Sequence, residues 1–510
     1  MGSCSDARRP ARLALTLLAA ALIFVSGPTP GRSETVTLNA TDGDLALTGE
    51  LRAFDGRFYQ IETEFGLMTV AGDRVYCSGA ACPGDAETTG FTVSADQTYG
   101  RVLLPALVEA FAARQGLPLR RVEHAPQHVV YELGSDDTRR HFPVTLHLAG
   151  SAEAFADLAV GRAEMALVSR FPTDSEALFI SDAGYGDLAS PAQRMLLGVD
   201  ALAVVVANGA PAQAVSGAPV GAELPDDLTA RLAARLMPRP VGTPEVHVAV
   251  DPADLEPLFG PDVTDGTAVR HNDGWSVQSA VRDSRARVGL IPAAALHAGR
   301  VLPLVGSCGL ALAPDRGALL TGDYPALIPA LAYLPDRRLP RDMIGFISFL
   351  QSDEARRVMA RAGVAHPDPG ETVDVPLAGR LLAALAHPGT LAEPDVYRDL
   401  ARTLVRARRL GLAFRAGAEA SFDAVLSDLA LDSLTEAVTA GTVPAEGLIL
   451  GVFGGEAERR LAERIAAGVS EAAGGKRPAI HDFGAALPVA CPEDPGAARL
   501  NARVEVWVQG

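Results

Sequence analysis

Three segments bring hydroxyl, carboxylate or guanidinium side chains to a place where a strand gives way to a helix. Ser94-Ala-Asp96-Gln-Thr98-Tyr-Gly100 leads into a helix from Arg101. His147-Leu-Ala-Gly150-Ser151 leads into a helix from Ala152, and Arg270-His271-Asn272-Asp273-Gly274-Trp275-Ser276 leads into a helical stretch through Val281. A helix start exposes unpaired N–H groups and about half a positive charge, so each segment has the chemistry to cradle an oxyanion. The alternative for each, taken alone, is a structural cap.

Other chemistries are poorly served. The chain has no G-x-S-x-G elbow, no H-E-x-x-H and no P-loop; Ser470 to Arg477 lacks the first glycine and the hydroxyl residue after Lys476. His124 and His128 flank a proline in a poor metal geometry. An enzyme is therefore not expected, nor any cofactor or metal. With 45 Lys+Arg against 62 Asp+Glu the formal charge is −17, and no basic stripe is present to replace nucleic-acid counterions. An anion site in such a field must be locally positive, built from backbone N–H groups and one or two arginines.

The elements that must position these groups follow from length and rhythm. A chain of 510 residues exceeds one core, and 48% hydrophobic with 21% charged residues describes a globular protein. Arg8, Arg9 and Arg12 followed by the apolar run Leu13 to Val25 read as an export signal, with cleavage before Glu34; an uncleaved anchor is the alternative. Residues 34–86 alternate as short strands with tight turns, a small β module. There Cys77-Ser-Gly-Ala-Ala-Cys82 can close a disulfide in an oxidising compartment, the alternative being two free thiols. A bridge between Cys308 and Cys491 is left open. From about Gly90 strands and helices alternate, among them a helix over Leu103 to Arg114, strands over Val144 to Leu148, Met165 to Val168 and Ala201 to Ala207, and a helix over Phe346 to Arg361. Apolar runs without alternation indicate strands buried on both faces, hence an α/β sheet. Pro367, Pro369, Gly370 and Pro376 mark a boundary. A helical linker over 371–409 follows, and then an α+β section over 410–510.

The stretch from Gly150-Ser151 through Phe155, Leu158, Gly161 and Met165 to Ser169-Arg170 resembles the phosphate-binding (PBP-like) family's GSxxxFxxLxxGxAxIxxxSR. Asp96 to Phe111 is similar to that family's opening loop and first helix, Met195 to Asn208 to its crossing between lobes, and Tyr324-Pro325 with Phe346 to Arg357 to its late strand and helix. The resemblance covers roughly 90–366 and implies a two-lobed, type II-like periplasmic-binding fold working with an ABC permease. Residue by residue it implies ligand contacts from Thr98, Gly150 and Ser151, with Ser169 and Arg170 at the hinge edge and Arg270 and Gly274 on the second lobe. Arginine suits the role because its planar fork holds phosphate bidentately. Asp96 is the candidate acceptor for the hydrogen of a protonated phosphate, or else a helix cap. One departure stands out: the family's Ser-Gly-Thr is here Asp273-Gly274-Trp275. A carboxylate in an anion cradle repels by about 1–4 kcal/mol unless it is protonated or turned away. The bulk of Trp275 is also expected to fill ligand space.

Leu410-Gly-Leu-Ala-Phe-Arg, Leu448-Ile-Leu-Gly-Val-Phe and Leu500-Asn501-Ala-Arg503-Val504-Glu505-Val506 resemble the OmpA-like domain. That likeness implies peptidoglycan contact, but the family's Asp and Arg positions fall on Gly454 and Ile465, so only a weak contact is expected. The combined expectation is a periplasmic receptor for a small oxyanion, phosphate first. The alternative is an envelope scaffold with both sites decayed.

Overall fold

In a computed structural model, residues 35–40, 46–54, 58–71, 75–78, 82, 90–134, 141–216, 227–250, 255–259, 266–374, 377–386, 394–494 and 496–509 are described. The expected export signal lies outside them. Among the described residues no helix is long and apolar enough to cross a membrane. The chain divides into two compact units, 1–83 and 84–510.

The first unit is an antiparallel sheet ordered Gly66–Ala71, Phe58–Thr63, Ala46–Phe54, Thr35–Ala40, Val75–Ser78. Alternation sends Val36, Leu38, Tyr59 and Ile61 to one buried face. Cys77 and Cys82 are joined by a disulfide.

The second unit holds a two-lobed α/β fold. Its large sheet runs Val269–Arg270, Glu245–Val248, Arg287–Pro292, Arg194–Val206, Leu327–Tyr333, Met165–Val168, Phe91–Asp96, Phe142–Ala149, His128–Leu133, Leu119–Ala125, with Arg300–Val301 pairing off the path. The thirteen-residue strand Arg194–Val206 is shared by both lobes. Residues 194–201 pair antiparallel with Leu327–Tyr333, and residues 202–206 pair with Arg287–Pro292. It is buried from Leu196 onward, which explains why its side chains there are apolar except for Asp200. In the first lobe, Phe91–Asp96 lies parallel to both Phe142–Ala149 and Met165–Val168. In the second, Glu245–Val248 lies parallel to Val269–Arg270 and Arg287–Pro292. Loops that leave the carboxyl ends of parallel strands are where α/β sheets place ligands.

Most expected elements appear in place, Leu103–Arg114 and Met165–Val168 to the residue. The helix expected over Phe346 to Arg361 is instead two, Arg341–Leu350 and Asp353–Arg361. Ser352 breaks it, because its hydroxyl accepts from Ala355 N and starts a new helix. Phe111 packs against Phe346 and Phe349 at 5.3 and 5.7 Å between ring centres, which fixes the first helix on this pair.

Asp200 lies where the shared strand changes partner, and it is fully buried. Its carboxylate accepts from Ala201 N at 2.7 Å and from Ala294 N at 3.1 and 3.2 Å, with no cation among these partners. Burial pushes its pKa up to about 7, and the N–H bonds offset this only in part. A carboxyl raised in the fold stabilises fully below its unfolded value near 4, and that contribution is lost as pH rises to about 7. Asp200→Asn should therefore gain stability relative to wild type between pH 4 and 7, by about 4 kcal/mol as an upper bound. Denaturant unfolding of both proteins at pH 5 and pH 8 checks this. An equal difference at the two pH values would mean that Asp200 ionises normally.

The segment expected to be a helical linker carries the helices Leu377–Ala386 and Pro394–Leu404, with a strand at each end. Asp368–Val373 and Ala407–Gly411 are neighbouring strands at one side of a sheet completed by Arg503–Gln509, Leu448–Phe453 and Ala479–Asp482. The helices Phe422–Thr439 and Glu456–Ala472 cover this sheet through Ala430, Leu434, Ile465 and Val469. The strand expected over Leu410 to Arg415 ends at Gly411, with Phe414 making one isolated bridge to Val504.

Candidate functional site

The carboxyl ends of both parallel sets open on one cleft of about 800 Å³. From the first lobe it is lined by Asp96, Thr98, Gly150, Ser151 and Ser169, and from the second by Arg270, His271 and Asn272. The register places Asp96 beside Ala149, so the first and second loops leave the sheet together. Gly100 permits this close fit: a Cβ there would lie 2.5 Å from Leu148 Cδ2.

Asp96 ties three strand ends together. Its Oδ1 accepts from Tyr99 N at 3.2 Å and caps the first short helix, while Oδ2 accepts from Ser151 Oγ at 3.0 Å and Ser169 N at 2.5 Å. Burial drives its pKa upward, and these bonds pull against the rise without cancelling it. Asp96 is thus a helix cap and a cleft wall at once. Ser169 is buried on the same wall, and its side chain also helps hold the Asp96 carboxylate.

Sequence reasoning missed a second cluster on this wall. His147 Nδ1 donates to Asp157 Oδ2 at 2.5 Å, Ser94 Oγ donates to the same oxygen at 2.9 Å, and Arg162 Nε donates to Oδ1 at 2.9 Å. Burial raises the Asp157 pKa, but the bonds from His147 and Ser94 and the Arg162 charge hold it below the usual carboxylate range. These residue types suggest a hydrolytic triad, but the bonding does not. Ser94 is fully buried and donates to the carboxylate rather than to a free imidazole nitrogen, so nothing activates it as a nucleophile. The cluster instead neutralises Asp157 and holds His147 and Arg162 along the cleft. Asp157 could have been found by its place on the helix from Ser151, where it faces Phe91–Asp96 rather than solvent. Across the cleft His271 Nε2 sits 2.8 Å from His247 Nδ1, which orients its ring.

Arg170 does not line the cleft. Its guanidinium forks onto Glu176 with two contacts of 2.8 Å and lies over the Phe155 ring, because Glu176 caps the next helix and supplies a fixed carboxylate. Asp273 is turned away from an anion. It caps the helix Gly274–Arg282 through Ser276 N at 2.7 Å, and its other oxygen lies 3.9 Å from Arg101 Nη1 of the first lobe. Trp275 fills no ligand space: it is 62% exposed. With Gly274 it borders a smaller recess beside the cleft.

In the 410–510 section, Gly454 and Ile465 stand where a wall-binding pair is expected, and Ile465 is fully buried. Asn501 Oδ1 accepts from Val489 N and Ala490 N, and Arg503 bonds Glu505, Asn501 O and Leu487 O. Both side chains are engaged internally. Cys308 and Cys491, left open by sequence, form a disulfide.

No protein-family model matches this chain. No curated protein matches it either. Among solved structures it is similar to an ABC-type phosphate transport receptor from Vibrio cholerae, at 18% identity over 54% of this chain and 100% of that one, TM-score 0.37. It is also similar to a putative phosphate ABC transporter substrate-binding protein with bound phosphate from Clostridium perfringens, at 13% identity over 54% and 98%, TM-score 0.39. A LysR family transcriptional regulator, CbnR, matches at 13% identity over 53% and 70%, TM-score 0.29.

Proposed function

We propose that the two-lobed part of this chain is a binding module that closes over a small oxyanion, phosphate being the first candidate, in ABC-type uptake or envelope sensing after export to the periplasm. The observation that carries the reading is the convergence of Thr98, Ser151 and Arg270, from three separate loops and both lobes, on one cleft. Two disulfides suit an oxidising compartment. With Asn501 and Arg503 bonded internally, contact with peptidoglycan is at most weak.

A second reading, a scaffold whose pocket has decayed, is favoured by one feature. Glu153 Oε2 accepts from Gly150 N at 3.0 Å and so occupies an N–H that an anion would use. Thermal unfolding of the full chain separates the two. In millimolar phosphate, at 100 times Kd, the binding reading expects stabilisation of about 2.7 kcal/mol. Arg270 is exposed, so Arg270→Ala should leave the fold intact while weakening binding about 10- to 100-fold. If phosphate, sulfate, molybdate and phosphonates all leave the transition unmoved, the scaffold reading stands.

A further inference from the structure

The cleft does not end at its oxyanion-facing loops. A recess of about 200 Å³ continues from it, sharing Gln97, Thr98 and Ala249 with the main cleft. Its walls combine Val102, Pro292 and Ala295 with the Arg101–Asp273 pair, and the rings of Trp275 and His297 stand at its border, their centres 5.5 Å apart. The recess is not simply a gap between parted lobes, because the lobes already approach each other there through Arg101 and Asp273, 3.9 Å apart. Inorganic phosphate has no part that would use the apolar side chains of the recess or an exposed indole. A cleft of this combined size holds a substituted ligand, whose apolar group is usually buried while a few polar groups fix its orientation.

Resting on the oxyanion reading of the cleft, we infer that the ligand is an organic oxyanion, a phosphate monoester or phosphonate whose charged head meets Thr98, Ser151 and Arg270 and whose apolar or aromatic substituent extends into the recess against Trp275. Thr98 borders both spaces and marks the junction of head and substituent. The indole offers a large flat face, at which an aromatic group gains from stacking beyond its buried area. In the loop Asp273-Gly274-Trp275, Asp273 pairs with Arg101 at 3.9 Å on the recess wall, while Trp275 supplies the indole face.

Calorimetric titration of the full chain with inorganic phosphate and with phenyl phosphate tests this. Phenyl phosphate should bind at least about tenfold more tightly than phosphate, and Trp275→Ala should remove about tenfold of its affinity while leaving phosphate unchanged. Trp275→Phe, which keeps an aromatic face, should retain most of the preference. Binding of phosphate with exclusion of phenyl phosphate, or an equal effect of Trp275→Ala on both, overturns the inference and leaves the oxyanion reading standing. Binding of neither probe overturns both.

Discussion

Asp323→Ala should destabilise the 84–510 unit by about 3–5 kcal/mol, among the largest single-residue effects expected in this protein. Asp323 is 5% exposed and holds Arg409 through bonds of 2.6 and 3.1 Å and Arg380 through one of 2.7 Å, with Arg415 at 3.6 Å. The second carboxylate of the cluster, Glu505, binds Arg380 at 3.1 Å, Arg503 at 2.7 Å and Trp507 Nε1 at 3.1 Å. Four buried guanidinium groups thus share two carboxylates, and removing one leaves charge that water cannot reach. Burial alone would raise the Asp323 pKa, yet the charges of Arg409 and Arg380 drive it far below the ordinary carboxylate range. A carboxyl lowered in the fold contributes stability above its unfolded value near 4 and loses it as pH falls further. Acid should therefore attack this cluster, whereas the Asp200 contribution is lost as pH rises from about 4 to 7. Asp323→Asn separates charge from shape, since it keeps the volume and should retain most of the loss. Urea unfolding at pH 7 checks both variants. A change below about 1 kcal/mol in each would show that the arginines find other partners.

Reducing the Cys308–Cys491 bond should have a comparable effect. The bridge spans 183 residues and joins the second lobe to the 410–510 section. In the chain-entropy account a loop of that length contributes about 5 kcal/mol, against about 2 kcal/mol for the five-residue separation of Cys77 and Cys82. The bridge is built in closely: Cys308 N donates to Cys491 Sγ at 3.0 Å, and a Cβ on Gly306 would come within 2.3 Å of that sulfur. Cys308→Ser should lower the midpoint of urea unfolding strongly, and a reductant should reproduce the shift in wild type but not in the variant. Cys77→Ser should leave the 84–510 transition in place, because that bond lies in the other unit. If Cys308→Ser unfolds at the wild-type midpoint, the ion cluster alone holds the section in place.

Much of the architecture was legible because it is local. Buried strands such as Met165–Val168 and Leu448–Phe453 announce themselves as short apolar runs, and helices such as Leu103–Arg114 by their spacing. The misreadings have local causes of a subtler kind. Ser352 divides a continuous apolar pattern with a single cap, and the strands Asp368–Val373 and Ala407–Gly411 are too polar to stand out from a linker. For the cleft, the loops carrying Asp96, Thr98, Ser151 and Arg270 could be read from residue type at a strand end. The direction of a side chain could not. Arg170 and Asp273 look like cleft groups in one dimension, yet each has a nearer partner, in Glu176 and in Ser276 N with Arg101.

By itself the sequence determined the α/β class, many of the strands and helices, and the three loops that could present amide groups to an anion, since these depend on neighbours within a few residues. Tertiary structure alone decided which charges meet. Asp323 finds Arg380 and Arg409 at separations of 57 and 86 residues, Arg101 finds Asp273 across the cleft, and Asp96 gathers Ser151 and Ser169. The reason is physical: periodicity reports which face of an element is buried, whereas pairing between buried polar groups depends on how whole elements pack, and no local spacing encodes that.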